Sequence, residues 1–278
     1  MQHHKSVYVK NMLFYGFLGF IAFICLMPII IMFVTSFKTK TAILSDDSFF
    51  FFIPTLSNYT QILHDSDRIH YLANSLYVGV ISTLVTLFIG SMAAYGLVKW
   101  NFYGRNAIAF STLLVRMIPP AVMTVPIFLI WTFQFELSNS LNGLIFVYVA
   151  MNLPFVMWIL QSFIMQIPKQ LDEAARIDGA NEWQIFTKIV LPIIKPGLAA
   201  AAIFVFRIVW NEFILALILT NHETRTMPVN ISLLNGSHNT DWGQIMALGV
   251  LIAIPPLIFT FIASRQIIAG MTAGSVKG

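Results

Sequence analysis

The sequence predicts an all-α, polytopic membrane protein with six transmembrane helices. Three observations lead there. Of its 278 residues, 58% are hydrophobic and 10% charged, where a soluble domain carries about 25% charged residues. The apolar residues gather into runs long enough to cross a bilayer, which takes about 20 of them. The charges gather in the connections, and residues 166–196 alone hold eight of the 28. We read the chain, 1–278, as a single transmembrane domain.

The first span is 11–37, an uncharged run of 27 residues. It is too long for a signal-peptide core and no small-residue cleavage site follows it, so it is expected to be retained. Residues 38–70 form a polar loop, in which the Phe49–Phe52 run is too short to span. It is expected either at the interface or on a partner, or packed within the loop. The second span is 71–98, followed by a short basic turn from Lys99 to Arg105. The third, 106–131, contains Arg116, Pro119, Pro120 and Pro126. Proline removes a backbone donor and clashes with the preceding turn, so this span is expected to kink or break. The carbonyls so freed need partners other than lipid. The fourth span is 141–164, with a second proline kink expected near Pro154. The fifth is 197–219 and carries Arg207 and Glu212. A polar loop, 220–242, leads to the sixth, 243–264, with Pro255 and Pro256 inside.

Lysine and arginine placement sets the expected orientation. With the N-terminus in the cytoplasm, ten lysines and arginines fall in inside segments and four outside. Both termini and the 166–196 stretch are then cytoplasmic. The net charge of +4 reads as loop topology, not as affinity for nucleic acid. Cys25 is the one cysteine and can form no intrachain disulfide.

Within 166–196 the local signals describe two short helices with a turn between them. Pro168 suits a first helical position. Asp172 and Glu173 lie early and Arg176 late, as the helix dipole favours. Gly179 is the natural left-handed stop. Asn181 and Gln184 have the spacing of a capping box for the second helix, and Pro192 ends it.

Three ionisable groups fall inside spans: Arg116, Arg207 and Glu212. Each is costly in lipid and should meet a partner, water or a pathway. Arg207 and Asn211 share a helix face, whereas Glu212 lies about 140° round from Arg207, too far for a simple pair. Glu212, near the outer half of the span, reads as a gate or as part of a docking surface for an outside partner. No G-x4-G-K-[ST] phosphate loop occurs, the six histidines show no metal-ligand spacing, and no catalytic triad is arguable. We propose no enzymatic site and no cofactor or metal held by the chain.

The run Glu173-Ala174-Ala175, Gly179 and Ile189-x-Leu191-Pro192 resembles the E-A-A-x3-G-x9-I-x-L-P loop of ABC importer permeases. Further pieces are similar to the carbohydrate-uptake branch of that family, in particular its second, MalG- or LacG-like permease. They are Ser36-Phe37-Lys38, Leu56-Ser57-Asn58-Tyr59, Asn74-Ser75-Leu76, Arg116-Met117-Ile118-Pro119-Pro120, Trp210-Asn211-Glu212-Phe213, Met227-Pro228-Val229 and the closing 270–278. The resemblance implies a type I ABC importer permease fold in a bacterial inner membrane. It implies a homologous sister permease, two ATPase subunits that bind ATP and Mg, and an extracytoplasmic solute-binding protein that delivers an oligosaccharide or sugar derivative. It makes 166–196 a coupling loop, with Glu173, Ala174, Ala175, Arg176, Asp178 and Gly179 as its contact to the ATPase, and suggests that 270–278 insert toward the same interface. Arg116, Arg207, Asn211 and Glu212 become candidates for the substrate pathway or gate. Position 207 is usually neutral in the family pattern, so an arginine there points to a carboxylate or backbone carbonyls on the sister permease, or to an anionic cargo. The alternative function class is an ion-gradient-driven secondary transporter or channel, which predicts paired half-chain repeats; the chain shows none.

Overall fold

Helices form all the regular structure among the described residues. The computed structural model describes residues 2–45, 51–235 and 241–275, with side chains over 10–45, 51–234 and 241–266. The first element is α1 (Gln2–Ser36). Two short helices follow in the first loop, α2 (Lys40–Leu44) and α3 (Ser57–His64), where the sequence led us to expect an irregular polar connection. The second span is α4 (Ser66–Lys99). Of the Phe49–Phe52 run, Phe49 and Phe50 lie outside the described residues; Phe51 is exposed and the Lys38 ammonium sits 5.0 Å from the centroid of the Phe52 ring.

The third span is broken, as its prolines require. It consists of α5 (Arg105–Met117) and α6 (Pro120–Phe133), which meet at 101°. Pro119 forces Ile118 out of the helical region, to ψ 120°, and Pro120 starts the next helix at a position where its missing N–H costs nothing. The fourth span, α7 (Leu141–Ile164), runs through Pro154 unbroken.

The charged stretch holds α8 (Lys169–Ile177), α9 (Glu182–Ile185), a π-helical turn over Phe186–Val190, and α10 (Leu191–Ile193). Pro168 caps the first helix from outside rather than occupying its first turn. Pro192 lies within α10 rather than ending it, and the chain turns by 75° into α11 (Lys195–Trp210).

The fifth span differs from expectation. It is not one helix over 197–219 but two, α11 and α12 (Ile214–Leu219), interrupted at Asn211–Phe213. The loop expected over 220–242 contains another helix, α13 (Met227–Asn235). The last element is α14 (Trp242–Ser275), helical through Pro255 and Pro256. Residues 276–278 of the closing motif lie outside the described residues. Four helices are long and apolar enough to cross a membrane alone, and up to six spans result when bent pairs are counted.

The chain packs as two units. The first comprises Met1–Ser66 and Leu233–Ala253. Its hub is Asn58, buried, whose amide donates to the carbonyls of Ser36 at 2.8 Å and Lys38 at 2.9 Å. Those carbonyls stand at the end of α1, where no intrahelical donor is left. The Ser36 hydroxyl lies 2.6 Å from the Tyr59 hydroxyl.

The second unit comprises Asp67–Ser232 and Ile254–Gly278. Its core gathers α4, α7, α11 and α12 around fully buried Leu144, Leu160, Val205 and Leu215. The buried face of α4 is a stripe of small residues, with Gly79, Ser82, Thr83, Thr86, Gly90, Ser91 and Ala94. Small residues let helices approach where the hydrophobic effect offers no drive between them. A Cβ at Gly90 would lie 2.6 Å from Cγ1 of Val156 on α7.

Candidate functional site

Two regions of the second unit gather the polar chemistry. The first is the charged stretch over 166–196. After α8, the Gly179 amide donates to the Arg176 carbonyl and the Ala180 amide to the Ala175 carbonyl, at 3.0 and 2.9 Å. With Gly179 at φ 82°, this is a complete Schellman stop. Asn181 and Gln184 then form a reciprocal capping box, both bonds 2.9 Å. The two helices are tied to each other by the Arg176–Glu182 ion pair. They are tied to the end of α4 by Lys99–Asp172 and by the Tyr95 hydroxyl, which donates to Glu182 at 3.0 Å.

This scaffold fixes which face points out. Ala175 is only 8% exposed and packs in the chain's own core. Glu173, Ala174 and Asp178 are exposed, and Ile177 is 87% exposed. Of the residues assigned to the contact, Glu173, Ala174 and Asp178 therefore lie on the outer surface. Ala175 lies on the inner one, Arg176 braces the second helix, and Gly179 makes the turn.

The second region is a cavity of about 470 Å³ among α5, α6, α7 and α11. Its polar lining is Arg116, Trp131, Tyr148, Asn152 and Glu212. Glu212 is held by three donors. The buried Tyr148 hydroxyl donates to it at 2.5 Å, and the amides of Leu215 and Ala216 donate at 2.9 and 3.1 Å. The carboxylate thus caps α12 and compensates the break in the fifth span. Across the cavity the Arg116 guanidinium lies over the Phe155 ring, 4.2 Å from its centroid, a cation–π contact.

The arrangement brings Arg116 and Glu212 to one cavity but leaves Arg207 and Asn211 outside it. Both of these are exposed. Asn211 donates to the Arg207 backbone carbonyl at 2.8 Å, and the Arg207 guanidinium has no partner among the described residues.

The sequence matches the family described as binding-protein-dependent transport system inner membrane component over residues 86–272, from the second span through the sixth. The chain belongs to this family. The permease is 39% identical over 264 residues to the trehalose/maltose transport system permease protein MalG of Thermococcus litoralis, covering 92% of this chain and 93% of that one. It is 35% identical over 255 residues to the sulfoquinovosyl glycerol transport system permease protein SmoH of Agrobacterium fabrum, covering 91% and 89%. Its fold matches a chain in the crystal structure of a bacterial ABC transporter involved in import of the acidic polysaccharide alginate. That match has a TM-score of 0.80 at 23% identity and covers 94% of the permease and 97% of the other chain. The permease thus has the type I importer fold, is a multi-pass membrane protein, and works with a binding protein rather than as a gradient-driven carrier or channel.

Sequence reasoning passed over Lys99, Tyr95, Tyr148, Asn152 and Glu182. Tyr148 and Asn152 did leave a signal, since they are polar groups four apart in an otherwise apolar span and share one helix face. The Lys99–Asp172 pair left none, because its partners are 73 residues apart in the chain.

Proposed function

We propose that this permease forms half of the translocation pathway of an ATP-driven importer for an oligosaccharide or sugar derivative. Its coupling loop transmits ATPase closure to that pathway. A homologous sister permease supplies the other half. Two ATPase subunits carry ATP and Mg on the cytoplasmic side, where both termini also lie, and an extracytoplasmic binding protein hands over the cargo. Catalysis belongs to the ATPases, and this chain supplies position and leverage.

One observation carries the coupling reading. A helix locked at both ends, by Lys99–Asp172 and by the Gly179 stop, turns Ala174 and Ile177 away from its own chain and leaves Glu173 exposed at the edge of that face. A rigid helix moves its neighbours as one body, whereas a flexible loop would absorb the displacement. Glu173 offers an acceptor to the ATPase groove, Ala174 permits close approach, and Ala175 lets the helix lie close on the permease. The saccharide reading rests on relatives named for trehalose, maltose and sulfoquinovosyl glycerol.

Gly179→Val tests the coupling. A β-branched residue at φ 82° costs on the order of 1–3 kcal/mol and breaks the stop. The variant is expected to insert into membranes at the parent level and to lose uptake in the reconstituted importer. Normal uptake together with normal ATPase association overturns the proposal.

A further inference from the structure

A second cavity, of about 550 Å³, opens where the second span ends, the third begins and the fourth ends. Its lining includes Lys99, Trp100 and Arg105 from the turn between the second and third spans. Lys169 and Asp172 come from α8, and Ile164 from the end of α7. Two features set it apart from an ordinary crevice.

The first is its charge. Lys99 is taken up by Asp172, whose second oxygen is sealed from solvent. Arg176 is taken up by Glu182. Arg105 has only the neutral amide of Asn101, at 2.5 Å, and neither Arg105 nor Lys169 meets a carboxylate among the described residues. Glu173, one helical turn from Lys169, is the remaining carboxylate in the wall. One cation is left in excess, the complement of a single negative charge.

The second is its depth. The turn over 100–104 joins two spans and exposes Trp100, Phe102 and Tyr103. Tryptophan and tyrosine exposed at the end of a span mark the headgroup level of a bilayer. Two cations at that level, flanked by Val98, Met165 and Ile167, meet a ligand that is anionic at one end and apolar at the other. Basic pockets between transmembrane helices bind phospholipid headgroups on these grounds.

We infer that this cavity is a binding site for an anionic phospholipid, its phosphodiester held between Arg105 and Lys169 and its chains lying along Val98, Met165 and Ile167. The site needs only that these helices span a bilayer, so it stands apart from the nature of the cargo. Lipid bound here touches both the end of the second span and the coupling helix.

Native mass spectrometry of the full chain, titrated in detergent with phosphatidylglycerol, phosphatidylcholine or glycerol 3-phosphate, tests it. Phosphatidylglycerol is expected to bind at least about tenfold more tightly than phosphatidylcholine. Arg105→Gln with Lys169→Gln should weaken phosphatidylglycerol binding by about thirtyfold, as expected for two basic groups, weaken phosphatidylcholine binding much less, and so abolish the preference. Lys188→Gln with Lys195→Gln, both outside the cavity, should have no effect. Equal binding of the two lipids, an equal loss in the control pair, or glycerol 3-phosphate competing as well as the lipid each overturns the inference; the last would make it a site for soluble phosphate esters. The parent chain provides a check that needs no cavity variant to fold. Brominated phosphatidylglycerol should quench tryptophan fluorescence more than brominated phosphatidylcholine, and Trp100→Phe should abolish the difference. Quenching that is the same for both lipids also overturns it.

Discussion

Glu212 is a charge inside a span, and its three donors explain how it is tolerated there. A carboxylate in lipid needs compensation, and here the Tyr148 hydroxyl and two free amides at the start of α12 supply it. The same bonds satisfy groups that the chain break would leave orphaned, so the carboxylate and the break depend on each other. Removing it exposes the other side of that dependence. Glu212→Ala leaves the 2% exposed Tyr148 hydroxyl and two amides unpaired, at about 1–3 kcal/mol for each group that stays dry. The purified Glu212→Ala variant is expected to melt several degrees below the parent, and Glu212→Gln, which keeps one acceptor, to fall between. Glu223→Ala, on an exposed loop, should melt with the parent. An Ala variant that melts like the parent but no longer transports would instead give Glu212 a gating role. Asn58 and Asn74 follow the same logic. The first closes the carbonyls of Ser36 and Lys38; the second donates to the backbone carbonyls of Glu223 and Arg225 at 2.9 and 3.0 Å. Short polar pieces of sequence that resemble the family thus turn out to be pieces that bond to one another.

At the scale of elements, the small residues of α4 decide how closely the second and fourth spans pack. Gly90 faces Val156 with no space for a side chain, and Val156 is fully buried. Gly90→Leu must push the two helices apart, whereas overpacking by smaller increments already costs about 1–3 kcal/mol. We expect Gly90→Leu to reduce the amount of folded permease in membranes sharply, as measured by resistance to limited proteolysis. Gly19→Leu, at a position on α1 with open space, should not. Protease resistance equal to the parent in Gly90→Leu would show that the spans pack elsewhere. These elements also show what could be read beforehand. The long apolar helices of the first, second, fourth and sixth runs, the break at Pro119–Pro120, the Gly179 stop and the Asn181 capping box were legible, because apolar runs, proline sterics and capping chemistry are local. The break at Asn211–Phe213 was not, because nothing in the sequence there forbids a helix. It is set by a carboxylate whose donor, Tyr148, sits 64 residues away. The helices within the 38–70 and 220–242 loops were missed for a related reason. Their sequences are polar enough to pass for connections, and Asn58 and Ser75 hold them through contacts distant in the chain.

At the scale of the whole molecule, one of the three ionisable groups inside spans is left without an internal explanation among the described residues. Arg207 lies on α11 in the middle of the fifth span, exposed and without a partner among the described residues. Its guanidinium stays charged in any environment the membrane offers, and nothing among the described residues neutralises it. In the importer proposed above, either the sister permease turns a carboxylate or backbone carbonyls toward it, or the cargo does. A planar fork of donors suits carboxylate, sulfonate or phosphate groups, and one relative is named for a sulfonated sugar glycoside while another is named for neutral disaccharides. Arg207→Met keeps the apolar stem of the side chain and removes the charged guanidinium. In the importer reconstituted with its sister permease, ATPases and binding protein, uptake of an anionic saccharide and of a neutral one of the same length separates the two cases. If the guanidinium meets cargo, the variant loses uptake of the anionic saccharide by about tenfold or more, the worth of a charge-assisted bond, and keeps the neutral one. If it meets the sister subunit, both cargoes suffer equally and the heterodimer loosens, which crosslinking between the two permeases would register. Parent-level uptake of the native cargo in the variant would remove Arg207 from the pathway altogether.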